Sequence, residues 1–416
     1  MMTLESTISA LLARQKPGFS LDQAFYRDDD IYRLDLEEFW YRDWLFAGHD
    51  CEIAQPGSFF TVQVGDYSVI VVRGRDGVIR AFHNVCRHRG SRICLTEKGR
   101  ASRLVCPYHQ WTFDLDGQLL FARQMGEEFD PAPYGLKPVA CEAAAGYIWI
   151  SLASAPADFA PQRRRLETYF GAHNLKDAKV AFESTIIENG NWKLVWENNR
   201  ECYHCAANHP DLCKTYPEAP SVTGVDGAER DPEIAAHWAA CEDRGLASRF
   251  DMESDGQSRA VRVPLLRGAE SYTMTGRRAV GRKLSDGFPG EEGIGALLLF
   301  HYPTTWNHVL IDHAISFRVL PISATQTQVT TKWLVHKDAV EGVDYDLEKL
   351  TEVWIHTNDE DRRIVEDNAR GIASPAYQPG PYSEIHEGGV MQFVEWYCET
   401  LKRRLGPESQ ARIAAE

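Results

Sequence analysis

Two short segments carry side chains able to hold a redox metal cluster: Cys86-Arg-His88-Arg-Gly90 and, with seventeen residues between His88 and Cys106, Cys106-Pro-Tyr-His109. Two thiolates can bind one iron of a [2Fe–2S] cluster while two neutral imidazoles bind the other. Exchanging two anionic thiolates for neutral rings raises the reduction potential, to roughly −150 to +300 mV. The chemistry is then one-electron acceptance and delivery. Zinc sites use the same ligand types, but they pair them as Cys-x2-4-Cys and His-x3-5-His, and the first pair here is Cys-x-His. Arg87, Arg89 and Arg92 put positive charge beside the sulfides, and Gly90 lets a backbone N–H approach a sulfur.

A second constellation lies in Asn191-Trp192-Lys193-Leu-Val-Trp-Glu197-Asn198-Asn-Arg-Glu201-Cys-Tyr203-His204-Cys-Ala-Ala-Asn-His209-Pro210. Histidines five apart do not share one face of a straight helix. Pro210 pushes its predecessor out of the α region, so His209 can turn back toward His204. Two imidazoles and one carboxylate form the facial triad of non-haem Fe(II) oxygenases, which leaves coordination positions for O2. Taken alone, the pair also fits two structural histidines, or a zinc site made by Cys202 and Cys205 with His209 or Cys213.

These groups need elements to position them. A chain of 416 residues is long enough for two domains with sizeable cores. Its net charge of −15 disfavours nucleic acid and anionic membrane as partners. The ten cysteines have no regular spacing beyond the ligand pairs, and Cys141 and Cys398 sit in apolar surroundings as reduced core residues. No apolar stretch reaches membrane-spanning length, and the N-terminus lacks a basic start, so a soluble cytoplasmic protein is expected. Residues 20–45 read as a helical lead-in, within an N-terminal segment 1–45. Residues 46–152 carry short alternating strands with turns at Gly65-Asp66, Asp76-Gly77 and Asp116-Gly117, which predicts a small antiparallel β domain with the cysteine–histidine loops at its tip. Residues 153–160 read as a linker. The remainder, 161–416, predicts helices over 163–173 and 192–207, a strand over 180–188, and an irregular excursion over 216–290 with a short helix at 232–241. Three strands over 295–302, 307–319 and 325–336 follow, then long helices over 347–368 and 389–405. The fold class is α+β. No Gly-x-Gly-x-x-Gly turn is present, so the chain cannot take hydride from NAD(P)H itself.

The order Cys-x-His, Cys-x2-His, acid-x2-His-x4-His and a distant acid resembles the catalytic α subunit of Rieske non-haem iron oxygenases over nearly the whole chain. The resemblance implies a Rieske [2Fe–2S] cluster on Cys86, His88, Cys106 and His109, and a mononuclear Fe(II) on His204, His209 and Asp361, with Asp359 and Glu360 as rivals for the carboxylate. It implies a helix-grip, START-like catalytic domain after the β domain. It also implies O2 as co-substrate and a separate flavin- and ferredoxin-type reductase that draws on NAD(P)H. Glu201 matches the acid that carries electrons between subunits of a homotrimer, linking His204 to His109 of the neighbour, and Asn198 lies beside it. Some relatives close the two cluster loops with a disulfide. Cys94 has no counterpart in the second loop, so a potential toward the low end is expected. Asn198-Asn-Arg-Glu201-Cys-Tyr-His204-Cys, Pro303-Thr-Thr-Trp306-Asn-His308 and Ser374-Pro-Ala-Tyr-Gln-Pro-Gly-Pro-Tyr-Ser383 resemble the branch that demethylates quaternary ammonium compounds such as glycine betaine and stachydrine. That branch implies N-methyl hydroxylation and formaldehyde release; cis-dihydroxylation of an aromatic ring is the alternative. A quaternary ammonium donates no hydrogen bond, so aromatic faces must recognise it. Tyr203, Phe300, Tyr302, Trp306 and His308 are the candidates.

Overall fold

The protein is described by a computed structural model over residues 4–216, 231–287 and 293–406. Parts of the expected 216–290 excursion and the last ten residues of 161–416 lie outside the described residues. The first half of the chain is strand-rich, because β-branched and aromatic residues alternate between Gly- and Asp-containing turns. Strands Leu45–His49 (β1), Ser58–Val64 (β2), Tyr67–Arg73 (β3), Ile79–His83 (β4), Lys98–Arg100 (β5), Pro138–Ala144 (β9) and Tyr147–Ser151 (β10) form one antiparallel sheet in the order β1-β10-β9-β4-β3-β2-β5. Leu104–Val105 (β6), Thr112–Phe113 (β7) and Leu119–Phe121 (β8) form a three-stranded sheet beside it. One cysteine–histidine loop follows β4 and the other joins β6 to β7. Between the two sheets, Phe59, Ile70, Phe82, Leu104, Trp111 and Phe113 make a small core that also holds Cys86 and Cys106.

The second half is built on another seven-stranded antiparallel sheet, of Ala178–Glu188 (β11), Asp251–Met252 (β12), Ser258–Val263 (β13), Ala296–His301 (β14), Thr305–Val309 (β15), His313–Ser323 (β16) and Gln326–His336 (β17). Its order is β11-β17-β16-β15-β14-β13-β12. The strand expected over 307–319 is two strands. The run Val309-Leu-Ile-Asp312-His313 offers a single turn-type residue, Asp312, yet it reverses in a hairpin in which the Leu310 amide donates to the His313 carbonyl at 2.9 Å.

The helices are Leu4–Arg14 (α1), Gln23–Arg27 (α2), Asp29–Asp35 (α3), Ala160–Phe170 (α4), Trp192–Asn199 (α5), Cys205–Asn208 (α6), Pro232–Glu242 (α7), Leu347–Ile372 (α8) and Gly388–Leu405 (α9). The lead-in is α2, α3 and a π-helical turn over Leu36–Trp40, not one helix. The Asp28 carboxylate caps α3 by accepting from the Asp30 and Ile31 amides, which stops α2 before it can continue. The helix expected over 192–207 is also broken. The Glu201 carboxylate accepts from the backbone amides of Tyr203 and His204, and the chain turns there before α6 begins. Helix α8 presents a buried stripe of Leu350, Val353, Trp354, Thr357 and Val365, spaced as one helical face, toward β11 and α5.

The N-terminal segment packs on the second half of the chain. Asp35 and Lys193 form a fully buried ion pair, and Asp35 also accepts from Trp192 Nε1 at 3.0 Å and the Tyr397 hydroxyl at 2.7 Å. The pair therefore joins the lead-in to α5 and α9. Removing one partner leaves a buried charge uncompensated. Asp35→Ala is expected to destabilise the protein by about 3–5 kcal/mol in denaturant unfolding, and Asp35→Asn/Lys193→Met to lose much less than the sum of its single variants.

Candidate metal centres

The two cysteine–histidine loops have the same backbone. The Cys86 amide donates to Ser91 O at 2.8 Å and the Gly90 amide to Cys86 O at 3.0 Å. The Cys106 amide donates to Trp111 O at 2.9 Å and the Gln110 amide to Cys106 O at 3.0 Å. The fourth residue after each cysteine is left-handed, Gly90 at φ +79° and Gln110 at φ +62°. The space where a Gly90 side chain would sit is open, so glycine is needed there for its backbone angle and not for a close approach. Asn84 ties the first loop down: its Oδ1 accepts from the Ile93 and Cys94 amides at 2.9 Å each, and its Nδ2 donates to Cys94 O at 2.8 Å.

The four side chains converge. The Cys86 and Cys106 thiols meet in the core, both buried and neither in a disulfide. Burial raises the Cys86 thiol, with the neighbouring Cys106 adding to the effect. His88 and His109 stand 4.7 Å apart at the surface, His88 stacked on Trp111 at 4.8 Å and His109 on Tyr108 at 3.8 Å. Buried sulfur on one side and exposed imidazole on the other is the donor set a [2Fe–2S] cluster with mixed ligation requires. Cys94 is a free buried thiol, pushed up to about 12 by burial.

The second centre is assembled from α5, α6 and α8. Adjacent ligands about 2.1 Å from one ion at right angles stand about 3.0 Å from each other. His204 Nε2 and His209 Nε2 are 2.9 Å apart; Asp361 Oδ1 lies 3.0 Å from His209 Nε2 and 3.4 Å from His204 Nε2. Three donor atoms at these spacings form one face of an octahedron. His209 leaves the helical region at φ −120°, ψ 64°, ahead of Pro210, and this brings its ring back to His204.

The outer atoms of the rings fix their tautomers. His204 Nδ1 bonds Glu201 Oε1, and His209 Nδ1 bonds Glu360 Oε2 at 2.8 Å. Each Nδ1 therefore carries a hydrogen, which leaves Nε2 as the nitrogen able to offer its lone pair to a metal. Asn198 Nδ2 donates to Asp361 Oδ1 at 2.6 Å. Of the three acids on α8, Asp361 reaches the two histidines, Glu360 lies behind one of them, and Asp359 is exposed and pairs with Arg362 at 2.9 Å. Burial opposes charge on both rings, yet the Asp361 and Glu201 carboxylates raise His204 to about 10, and Asp361 and Glu360 raise His209. Burial alone would raise Asp361, but the two imidazoles hold it down at about 2. The site thus carries enough negative charge to hold a cation. Cys202 and Cys205 are joined as a disulfide, so neither is a free thiolate for zinc.

A small cavity of about 60 Å³ opens beside His204, His209 and Asp361. Phe300 and His308 line it, with Tyr216, Trp354, Arg200 and Arg259. His308 stacks on Trp354 at 4.7 Å and is held neutral by burial, its value lowered to about 3. The other cage candidates lie elsewhere. Tyr302 and Trp306 are buried behind the wall, where Tyr302 hydrogen-bonds Arg200 and Trp306 stacks on Phe317 at 4.9 Å. Tyr203 is 61 % exposed and stacks on His386 outside the cavity. Sequence reasoning missed Tyr216, Trp354 and both arginines. Trp354 lies seven residues before Asp361, two turns up the same helix face, and that spacing could have found it.

The comparisons agree with this architecture. Residues 43–138 match the Rieske [2Fe–2S] domain, and residues 173–403 match the ring hydroxylating α subunit (catalytic domain). The chain belongs to the Rieske-type ring-hydroxylating oxygenase α-subunit family. It is 49 % identical over 402 residues to the glycine betaine monooxygenase oxygenase subunit of Pseudomonas aeruginosa (strain UCBPP-PA14), covering 96 % of this chain and 93 % of that one. It is 47 % identical over 407 residues to the subunit of the same name from Chromohalobacter salexigens, covering 96 % and 90 %. Its fold is that of the quaternary ammonium Rieske monooxygenase CntA, solved in complex with L-carnitine (TM-score 0.68, 22 % identity, 96 % and 99 % coverage). The protein is therefore a monooxygenase-type enzyme of the α+β class that carries a Rieske [2Fe–2S] cluster and a mononuclear iron, acts on a small molecule and depends on a separate reductase. No helix among the described residues is long and apolar enough to cross a membrane.

The acids on α8 separate by metal content. Asp361→Ala is expected to remove the mononuclear iron while keeping the cluster's visible absorption. Asn198→Ala and Glu360→Gln should weaken iron binding by about 10–100-fold, measured by competition with a chelator, and Asp359→Ala should leave it unchanged.

Proposed function

We propose that this chain is the oxygenase component that demethylates glycine betaine, using O2 and electrons from a flavin- and ferredoxin-type reductase fed by NAD(P)H. Near-full-length identity of 49 % to a glycine betaine monooxygenase oxygenase subunit carries the reading. Aromatic and neutral imidazole faces beside the iron residues support it, because Phe300, Tyr216, Trp354 and uncharged His308 suit a cation without N–H donors. The cavity's modest size suits a compact substrate better than a fused-ring hydrocarbon.

In this reading Cys86, Cys106, His88 and His109 hold the cluster within a unit of 46–152, and His204, His209 and Asp361 hold the iron within a unit of 161–416. Segment 1–45 packs on the latter. When bound, the two centres supply electron relay and dioxygen activation. The residues around them do the rest. Glu201 and Glu360 keep each Nε2 free of hydrogen, Asn198 turns Asp361 Oδ1 inward, and the aromatic wall holds one N-methyl toward the open side of the triad. A hydroxylated N-methyl then gives up its hydroxyl proton and breaks at its C–N bond, with the bonding pair going to nitrogen, into formaldehyde and the N,N-dimethyl amino acid. Catalysis takes place in a homotrimer, in which Glu201 joins His204 to His109 of the neighbouring subunit. The exposure of His88 and the partial exposure of His109 support an electron exit across an interface.

Enzyme supplied with reductase is expected to release one formaldehyde per O2 consumed from glycine betaine, and less from stachydrine. Absence of formaldehyde from glycine betaine would defeat the reading. Loaded with saturating iron, Glu201→Gln should hold both metals and slow reduction of the iron by about 10–100-fold in single turnover.

A further inference from the structure

The same cavity holds two arginines that no protein acid neutralises. Arg259, on β13, is 3 % exposed, and its Nε has no hydrogen-bond partner. Its guanidinium lies over the Phe300 ring at 4.7 Å and the Phe250 ring at 5.7 Å. Arg200 is 2 % exposed, lies over the same Phe300 ring at 4.5 Å, and donates to the neutral acceptors Tyr302 Oη at 2.6 Å and Gln392 Oε1 at 3.3 Å. No ion pair involves either arginine among the described residues. The groups whose charge reaches Arg259 are Arg200, Tyr302 and Tyr216, and none is a carboxylate. Burial, and then Arg200, lower Arg259 to about 9, so it stays charged at neutral pH.

The acids of the cavity gather instead around the metal residues, where Asp361 and Glu201 bond His204. The cavity thus has a cationic region without an anion and an anionic region built to hold a cation. A buried guanidinium is satisfied by a planar acceptor that takes two parallel N–H bonds, and a carboxylate has that shape. Resting on the function proposed above, we propose that Arg259 binds the carboxylate of the betaine substrate, with Arg200 as the second positive charge of the anchor. This contact sets the direction of the zwitterion: its carboxylate lies against Arg259 and Phe300, and its trimethylammonium group points toward the iron residues and the Trp354–His308 faces. It selects quaternary ammonium carboxylates over quaternary amines of similar size that lack the carboxylate.

Two measurements test this on the metal-loaded enzyme with its reductase, for the wild type, Arg259→Gln and Arg259→Lys. The first is formaldehyde release from glycine betaine and from choline, the second calorimetric binding of each compound to the resting enzyme. In Arg259→Gln, kcat/KM for glycine betaine should fall by about 30-fold, mostly through KM, while that for choline changes little, so the preference between them collapses. Arg259→Lys should recover part of the loss, and calorimetry should show the same order. An Arg259→Gln enzyme with full iron and cluster content that keeps wild-type affinity and preference for glycine betaine overturns the anchor. If the wild type releases no formaldehyde from glycine betaine, the proposed function fails. The anchor then stands or falls on calorimetry alone: carboxylate-dependent binding lost in Arg259→Gln upholds it, and unchanged binding overturns it.

Discussion

Three atoms about 3 Å apart, two imidazole nitrogens and one carboxylate oxygen, are the constraint around which this protein is built. With both Nε2 atoms free of hydrogen, as ligation requires, three lone pairs face one another and repel, so the surrounding structure must hold them together. Glu201 and Glu360 do so from behind, by binding the outer nitrogen of each ring, and Asn198 does so from the side. Each support comes from a different place. Asn198 lies on α5, Glu201 in the turn that ends it, and Glu360 on α8. The long α8 helix, the interrupted segment after α5 and the proline after His209 are the means by which distant parts of the chain meet at one point.

Much of this was legible in the sequence, and the reason is chemical. Metal ligation needs particular atoms at short sequence spacing, so Cys86, His88, Cys106, His109, His204 and His209 stand out without any knowledge of the fold. The choice among Asp359, Glu360 and Asp361 looked open because three adjacent acids cover more than half of a helix turn. In the fold Asp361 continues the buried stripe through Trp354 and Thr357 and reaches the two histidines, while Asp359 faces solvent. The broken helix after Asn199 was invisible because its cause is a side chain, Glu201, accepting amides that a continuous helix would have used. The hairpin at Leu310 was invisible for another reason. Its one turn-type residue, Asp312, is buried and accepts from Ser271 Oγ and the Ala279 amide, so the run lacks the usual exposed Gly, Pro or Asn signal.

The cavity wall was the least readable part. Phe300 and His308 were found because a cation needs aromatic faces. Tyr302 and Trp306 carry similar rings, but Tyr302 sits in the turn after β14, and Trp306, although on the same sheet face as Phe300 and His308, is covered by Trp196 and Phe317. Arg200 and Arg259 drew no attention in the sequence because arginine is ordinarily a surface residue. Only burial without an acidic partner makes them unusual, and burial is a property of the fold.

The buried contact between Asp35 and Lys193 has a consequence for biosynthesis. Helix α1 packs on α9, Tyr377 donates to the Leu21 carbonyl and Tyr397 donates to Asp35, so residues 4–40 rest on residues 377–405. A ribosome adding about 5–20 residues per second needs on the order of half a minute to reach the surface on which its first product settles. Through that interval Phe25, Phe39 and Trp40, all buried at the end, lack their native cover. The small β domain between them can condense meanwhile, because its strands pair within a contiguous stretch. The oxygen-activating half closes last, once both of these segments have been made.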